Sequence, residues 1–151
     1  RAELPTILLR VAGLMNNPFT QQNFTDVAAG SWYSRSVSIA AELGIVTGQS
    51  SGQYAPQATL TRMEAMTMVG RLLNVVSAGG ETLSNAEITQ ILSSYSDKDM
   101  IPAWAKQSIA LSIKYGIIRG TDGKINPAGV LTRAEAAAIA IRLDEYITDK
   151  Q

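Results

Sequence analysis

Neither cysteine nor histidine occurs among the 151 residues of this chain. The first absence excludes disulfides and thiolate metal sites. The second removes the usual general base near neutral pH and the commonest transition-metal ligand. Long apolar runs are missing too: the longest, Ala136 to Ile141, is far below the roughly 18 to 20 residues that a spanning helix needs, so no membrane insertion is expected. Nor is there an excess of either charge. Thirteen Lys and Arg cancel thirteen Asp and Glu, which argues against a nucleic-acid binder working through a broad basic face and gives no pull toward anionic lipid. A hydrophobic share of 46% suits a buried core, held by one unit or shared among repeats.

What is present is repetition. Leu60-Thr61-Arg62-Met63-Glu64-Ala65 returns as Leu131-Thr132-Arg133-Ala134-Glu135-Ala136. Upstream, Phe24-Thr25-Asp26 answers to Tyr95-Ser96-Asp97, Trp32 to Trp104, Leu43-Gly44-Ile45-Val46-Thr47-Gly48 to Tyr115-Gly116-Ile117-Ile118-Arg119-Gly120, and Pro56 to Pro127. A truncated copy opens the chain, with Arg1 and Glu3 aligned to Arg62 and Glu64; an Arg follows each motif Arg nine positions on, at Arg10, Arg71 and Arg142. Such self-similarity dictates how a fold is assembled. The boundaries read as 1–16 for the closing helix of a truncated first copy, 17–77 for a second copy, 78–94 for an insert with a short helix, and 95–151 for a third copy. The chain begins inside a repeat and shows no signal peptide, so it reads as a piece whose targeting segment would lie upstream.

Each full copy predicts helix, loop, helix, and the fold class is all-α. Ser31 is placed to cap the first helix of the second copy, with Trp32, Val37, Ile39, Ala40 and Leu43 on one face. In the third copy Pro102 suits the first turn, and Trp104, Ile109 and Ile113 supply the buried stripe. Gly44 and Gly116 stop these helices. Polar loops follow, Gly48 to Pro56 and Gly120 to Pro127, with Tyr54 or Ile125 plugging each one back onto the helices. Thr61-x-x-Glu64 and Thr132-x-x-Glu135 are capping boxes. Met66, Val69, Leu72 and Leu73 continue one closing helix, Ile139, Ile141 and Leu143 the other, and Leu4, Ile7, Leu8 and Val11 the first, with Pro5 in its opening turn. In the insert, Ala78-Gly79-Gly80 breaks the chain before a capping box at Ser84-x-x-Glu87.

The Phe-Thr-Asp-Val opening (Phe24 to Val27), the Trp-Tyr helix start, the Leu-Gly-Ile-Val-Thr-Gly turn and the Thr-Arg-x-Glu helix start together resemble the S-layer homology family. The resemblance implies modules used in threes, with the helix-loop-helix copies packed around a pseudo-threefold central helical bundle and the loops splayed outward. It also implies an exported protein tethered non-covalently to the bacterial cell surface. The partner implied is a secondary cell-wall polysaccharide, often carrying pyruvate ketals, bound in grooves between copies and lined by the motif Arg. By position that Arg is Arg1, Arg62 and Arg133, each either a fork for the ligand or paired with its own Glu or a neighbouring carbonyl. A guanidinium fork matches a planar carboxylate, and a first-turn Arg, expected to be exposed, sits where free amides and the helix dipole favour an anion. Trp32 and Trp104 are either core anchors or flat faces for a sugar ring. The amides at Gly48-Gln49 and Gly120-Thr121 are candidate donors to ligand oxygens.

The departures from the family pattern concern the second copy, with Met63 in place of Ala and no counterpart in its loop to Asp122, and the first, which lacks an opening helix and loop. Its groove is incomplete unless a second chain or an upstream segment completes it. Asp26 and Asp97 are expected to cap or brace the first helix of their copies, and Arg10, Arg71 and Arg142 to play structural roles. Asp97-Lys98-Asp99 lacks the Gly and distal Glu of a calcium loop, so no metal and no cofactor is expected. No carboxylate pair is spaced across a groove as glycoside hydrolysis requires, so no enzymatic activity is expected here. The alternatives are a lattice-assembly module without glycan binding or the non-catalytic part of a wall-active enzyme.

Overall fold

Three Ser/Thr-x-x-Glu boxes fix the starts of three helices and two glycines the ends of two others. In a computed structural model that describes residues 1–20, 24–49, 52–77 and 80–150, the helices are α1 (Glu3–Val11), α2 (Ser34–Glu42), α3 (Arg62–Val76), α4 (Asn85–Leu92), α5 (Ala103–Lys114) and α6 (Arg133–Thr148), with a 3₁₀ turn at Lys98–Met100. No strand occurs among the described residues; pairing is confined to isolated bridges, Thr61 with Val130 and Thr121 with Lys124. The fold is all-α. Thr61, Ser84 and Thr132 each form the complete capping box, hydroxyl to the N3 amide and Glu back to the N-cap amide. Gly44 and Gly116 both sit at φ +69°, a conformation that costs a residue with a Cβ but not glycine. Ser50, Ser51, Ala78 and Gly79, which fall in the predicted loop and breaker, lie outside the described residues.

The chain divides into two compact units, Arg1–Thr59 and Leu60–Gln151. This division falls inside the second sequence copy, so units and copies are out of register. In the first unit α1 packs on α2, and the hydroxyls of Thr6 and Ser36 share a buried hydrogen bond of 2.5 Å. Leu4, Leu8, Leu9, Val37, Ile39 and Tyr54 are buried. In the second unit α3 packs on α5. The approach is close enough that a Cβ on Gly70 would run into the Ser108 backbone, and the Ser112 hydroxyl donates to the Met66 carbonyl at 2.8 Å. α4 lies against α5 as well. The strap leading to it is held by Glu81, whose carboxylate accepts from Lys114 Nζ at 2.5 Å and from the Tyr115 hydroxyl.

Several predicted faces are corrected. Ser31 turns its hydroxyl to the Ala28 carbonyl at 2.8 Å, and α2 starts at Ser34 without a side-chain cap, leaving Trp32 outside the helix. Trp104 is 59% exposed. The buried residues of α5 are Ala105 and Ser108 to Ser112; Trp104 shares the angular sector of Ser108 and Leu111 but lies a turn ahead of them, at the helix start, where that face is no longer covered. Leu43, Ile113, Ile7 and Val11 are only half-buried. Ile141 is 60% exposed while Ile139 is buried; residues two apart on a helix cannot share one face.

Candidate functional site

Both loops are built on one plan. In the first unit the Asp26 carboxylate accepts from the amides of Tyr54 (2.8 Å) and Ala55 (2.7 Å). In the second, Asp97 accepts from Ile125 (3.1 Å) and Asn126 (2.7 Å). The aspartates thus brace the loop beyond the next helix rather than the start of that helix, because their carboxylates satisfy amides that the loop leaves unpaired. The Tyr54 amide holds the Asp26 carboxyl below its ordinary value, with burial opposing and the Ala55 amide assisting. Tyr54 and Ile125 are both fully buried, as plugs should be.

Onto each braced loop docks the start of the preceding closing helix. The Arg1 nitrogen donates to Ala58 O (2.9 Å) and Ala2 N to Pro56 O (3.2 Å). Arg62 N donates to Gly129 O (2.7 Å) and Met63 N to Pro127 O (2.9 Å). With Glu64 N bonded to Thr61 Oγ1, the first three amides of α3 are consumed internally. They are not the open anion site that a helix N-terminus often provides.

The guanidinium groups differ. Arg1 lies over the Tyr54 ring, 5.4 Å from its centroid, and the Tyr54 hydroxyl donates to the Arg1 carbonyl at 3.1 Å. Arg62 is not exposed: its side chain is 14% accessible, its Nε donates to Ile125 O at 2.7 Å, and its Nη1 pairs with Glu135. Arg133, by contrast, is an exposed first residue of α6. Burial pushes the Glu135 carboxyl up, but the Thr132 amide, the Arg62 charge and the Thr132 hydroxyl outweigh it, so Glu135 titrates below its ordinary value.

Beside this pair opens a cleft of about 340 Å³, reached by Arg62, Arg119, Gly120, Thr121, Glu135 and Arg142, with Met66, Ile118, Leu131, Ala138 and Ile139 as its apolar wall. Three of the predicted site residues, Arg62, Gly120 and Thr121, therefore meet. Thr121 N is taken by Lys124 O at 2.8 Å. Gly120 N and the Thr121 hydroxyl donate to no described residue and remain available. Gly120 itself is required by packing, since a Cβ there would lie 2.5 Å from the Tyr95 ring and 2.6 Å from Lys124 O. Gly48 is crowded in the same way by Phe24 and by Gln53 O, and Gln49 N is spent on Gln53 O at 2.7 Å. Trp32, 64% exposed, and Trp104 stand outside the cleft.

Sequence reasoning missed Arg119 and assigned Arg142 a purely structural role. Arg142 does donate to Ile117 O, at 3.2 Å, but it also faces the cleft. The available signal was the Arg119 position itself, which interrupts an otherwise apolar turn where the other copy has Thr47. Among the described residues no group of His, Cys, Asp or Glu is arranged to hold a metal.

The S-layer homology domain profile matches residues 23–66 and 94–137. The chain belongs to that family, and the matched module is a non-catalytic one. It is similar to the exoglucanase XynX of Acetivibrio thermocellus, 31% identical over 96% of this chain and 13% of that protein. It is also similar to the surface-layer 125 kDa protein of Lysinibacillus sphaericus, 30% identical over 83% of this chain and 10% of the relative. S-layer protein EA1 of Bacillus anthracis is 30% identical over 80% of this chain and 13% of its own length. The chain thus spans roughly an eighth or less of the relatives it matches.

Proposed function

We propose that this chain is an anchoring module holding an exported protein at the bacterial surface by binding an anionic secondary cell-wall polysaccharide, pyruvylated where the wall carries that substituent. The observation that carries this reading is the cleft of the second unit. It joins Arg62, from the second copy, to Gly120 and Thr121, from the third, on a wall apolar enough for the carbon face of a sugar. Open polar donors beside an apolar wall are what a carboxylated sugar needs. The surface-layer relatives support a location at the cell surface, and the exoglucanase shows that such a region also accompanies a catalytic chain. A pseudo-threefold bundle of three copies goes with this proposal, as do the copy boundaries at 17–77 and 95–151. Arg133 and Arg1 would then serve further grooves, the one at Arg133 completed by a preceding segment or a second chain.

The test is co-sedimentation with cell-wall sacculi, before and after extraction of the secondary polymer. Binding that survives extraction would sink the reading. Arg62→Ala should weaken binding, but it also breaks the Glu135 pair, so melting must be followed in parallel. Arg62→Lys keeps the charge and loses the fork, and should weaken binding with less effect on stability. Thr121→Ala should do the same. A lattice-assembly role is the second reading, favoured by the exposed apolar side chains of Met100 and Trp104; self-association lost in Trp104→Ala would support it.

A further inference from the structure

The cleft of the second unit gathers more positive charge than one carboxylate would use. Arg62, Arg119 and Arg142 face it against a single carboxylate, Glu135. Arg62 is spoken for, by Glu135 and by Ile125 O. Arg142 has only a neutral partner, Ile117 O. Arg119 is exposed and makes no hydrogen bond or ion pair with any described residue. Two uncompensated guanidinium groups therefore converge on one concave surface, where like charges repel and the field is focused. An anion removes that cost, and a polar surface Arg with no cleft beside it would not incur it. The feature belongs to this cleft and not to the repeat, because the position equivalent to Arg119 is Thr47.

Resting on the anionic-glycan reading above, we infer that Arg119 is a specificity-determining residue that, with Arg142, reads a second anionic group on the glycan. The ligand of this cleft carries two acid substituents within about one sugar unit of each other, a carboxylate and a second carboxylate or phosphate. The first lies at the Arg62, Gly120 and Thr121 side. The second is taken by Arg119, which has five donors unspent and reaches it from the turn that follows α5.

The experiment compares the parent, Arg119→Thr and Arg62→Lys by titration calorimetry. One probe is purified pyruvylated cell-wall polysaccharide; the other is the methyl glycoside of 4,6-pyruvyl-N-acetylmannosamine, which bears one carboxylate. Arg119→Thr should lower affinity for the polymer about tenfold, the size of one charge-assisted hydrogen bond. It should make polymer binding less sensitive to salt, and leave affinity for the monosaccharide within about twofold. Enzymatic removal of phosphate esters separates the two sources of the second anion. Loss of the Arg119-dependent part assigns phosphate, and its persistence assigns a carboxylate. If Arg119→Thr binds both probes like the parent while Arg62→Lys is impaired, the inference is overturned and the anchoring function stands. Equal weakening on both probes also overturns it, since Arg119 would then read the first carboxylate. A parent that binds neither probe defeats both.

Discussion

The junction of α1 with the Tyr54 loop and the junction of α3 with the Ile125 loop share a pair of docking hydrogen bonds and an aspartate brace, and differ in what surrounds the guanidinium. In each, two helix-start nitrogens dock on equivalent loop carbonyls, at Ala58 and Pro56 or at Gly129 and Pro127, and an aspartate braces two amides. Above that common frame, one junction stacks a guanidinium on a phenol ring and the other buries it against a carboxylate and a carbonyl. The repeat therefore conserves main-chain geometry, where alternatives leave polar groups unpaired, and lets the side chains over it diversify. Diversity at that level is what gives the second unit a cleft rich in arginine.

The sharpest way to break the comparison lies along the closing helices, where Leu9, Gly70 and Ile141 occupy one repeat position. Leu9→Ala should cost about 2 to 5 kcal/mol, since the side chain is wholly buried. Gly70→Ala gains about 1 kcal/mol of helix propensity but drives a Cβ into the Ser108 backbone. Overpacking should win, for a net loss of about 1 to 2 kcal/mol. Ile141→Ala should fall within about 0.5 kcal/mol. Urea unfolding reads all three; equal losses would mean that the three helices have equivalent surroundings after all.

Next come the caps. Thr61→Ala and Thr132→Ala should each cost about 1 kcal/mol; the check is the loss in melting temperature relative to Thr89→Ala, whose threonine caps nothing. The Asp26 brace has a pH signature. Its folded pKa is depressed, so its contribution is present above the ordinary aspartate value near 4, and disappears as pH falls through the lower folded value. Asp26→Asn should remove that part of the acid dependence of unfolding, at and below the ordinary aspartate range. An unchanged profile would show that the brace carries no linkage.

The smallest effect should come from transplanting a residue between the two loops. Ala55 sits at φ +57° and its counterpart Asn126 at φ +49°, a region in which Asn is tolerated better than Ala. Ala55→Asn should therefore stabilise by about 0.5 kcal/mol, seen as a small rise in melting temperature.

The helix starts at Thr61, Ser84 and Thr132 and the stops at Gly44 and Gly116 were legible because they are written locally; the start of α2 was not, since Ser31 turns to Ala28 O and caps nothing. The plugs Tyr54 and Ile125 were legible as lone apolar residues in polar loops. The faces were not, since the period of Trp104 or Ile141 within its own helix does not say which neighbour it meets. Nor did adjacency in the chain disclose that α3 packs with the next copy's α5, a pairing that places the unit boundary at Thr59. Arg62, Gly120 and Thr121 were readable through the family motif. Pairing of a motif Arg with a Glu or a carbonyl was open from the sequence, but the partner was expected in its own copy; that it is Glu135, 73 residues on, follows only from the packing of one copy on the next.

That double employment of Glu135, closing the start of α6 while clasping Arg62, makes it a resident rival to any incoming acid. Under the proposed anionic-glycan function, a ligand carboxylate would have to displace a tethered one, and discrimination against small monovalent anions such as chloride would arise through that competition. A grip won by exchange would also be released without tearing the fold, so a tether of the proposed kind would stay reversible.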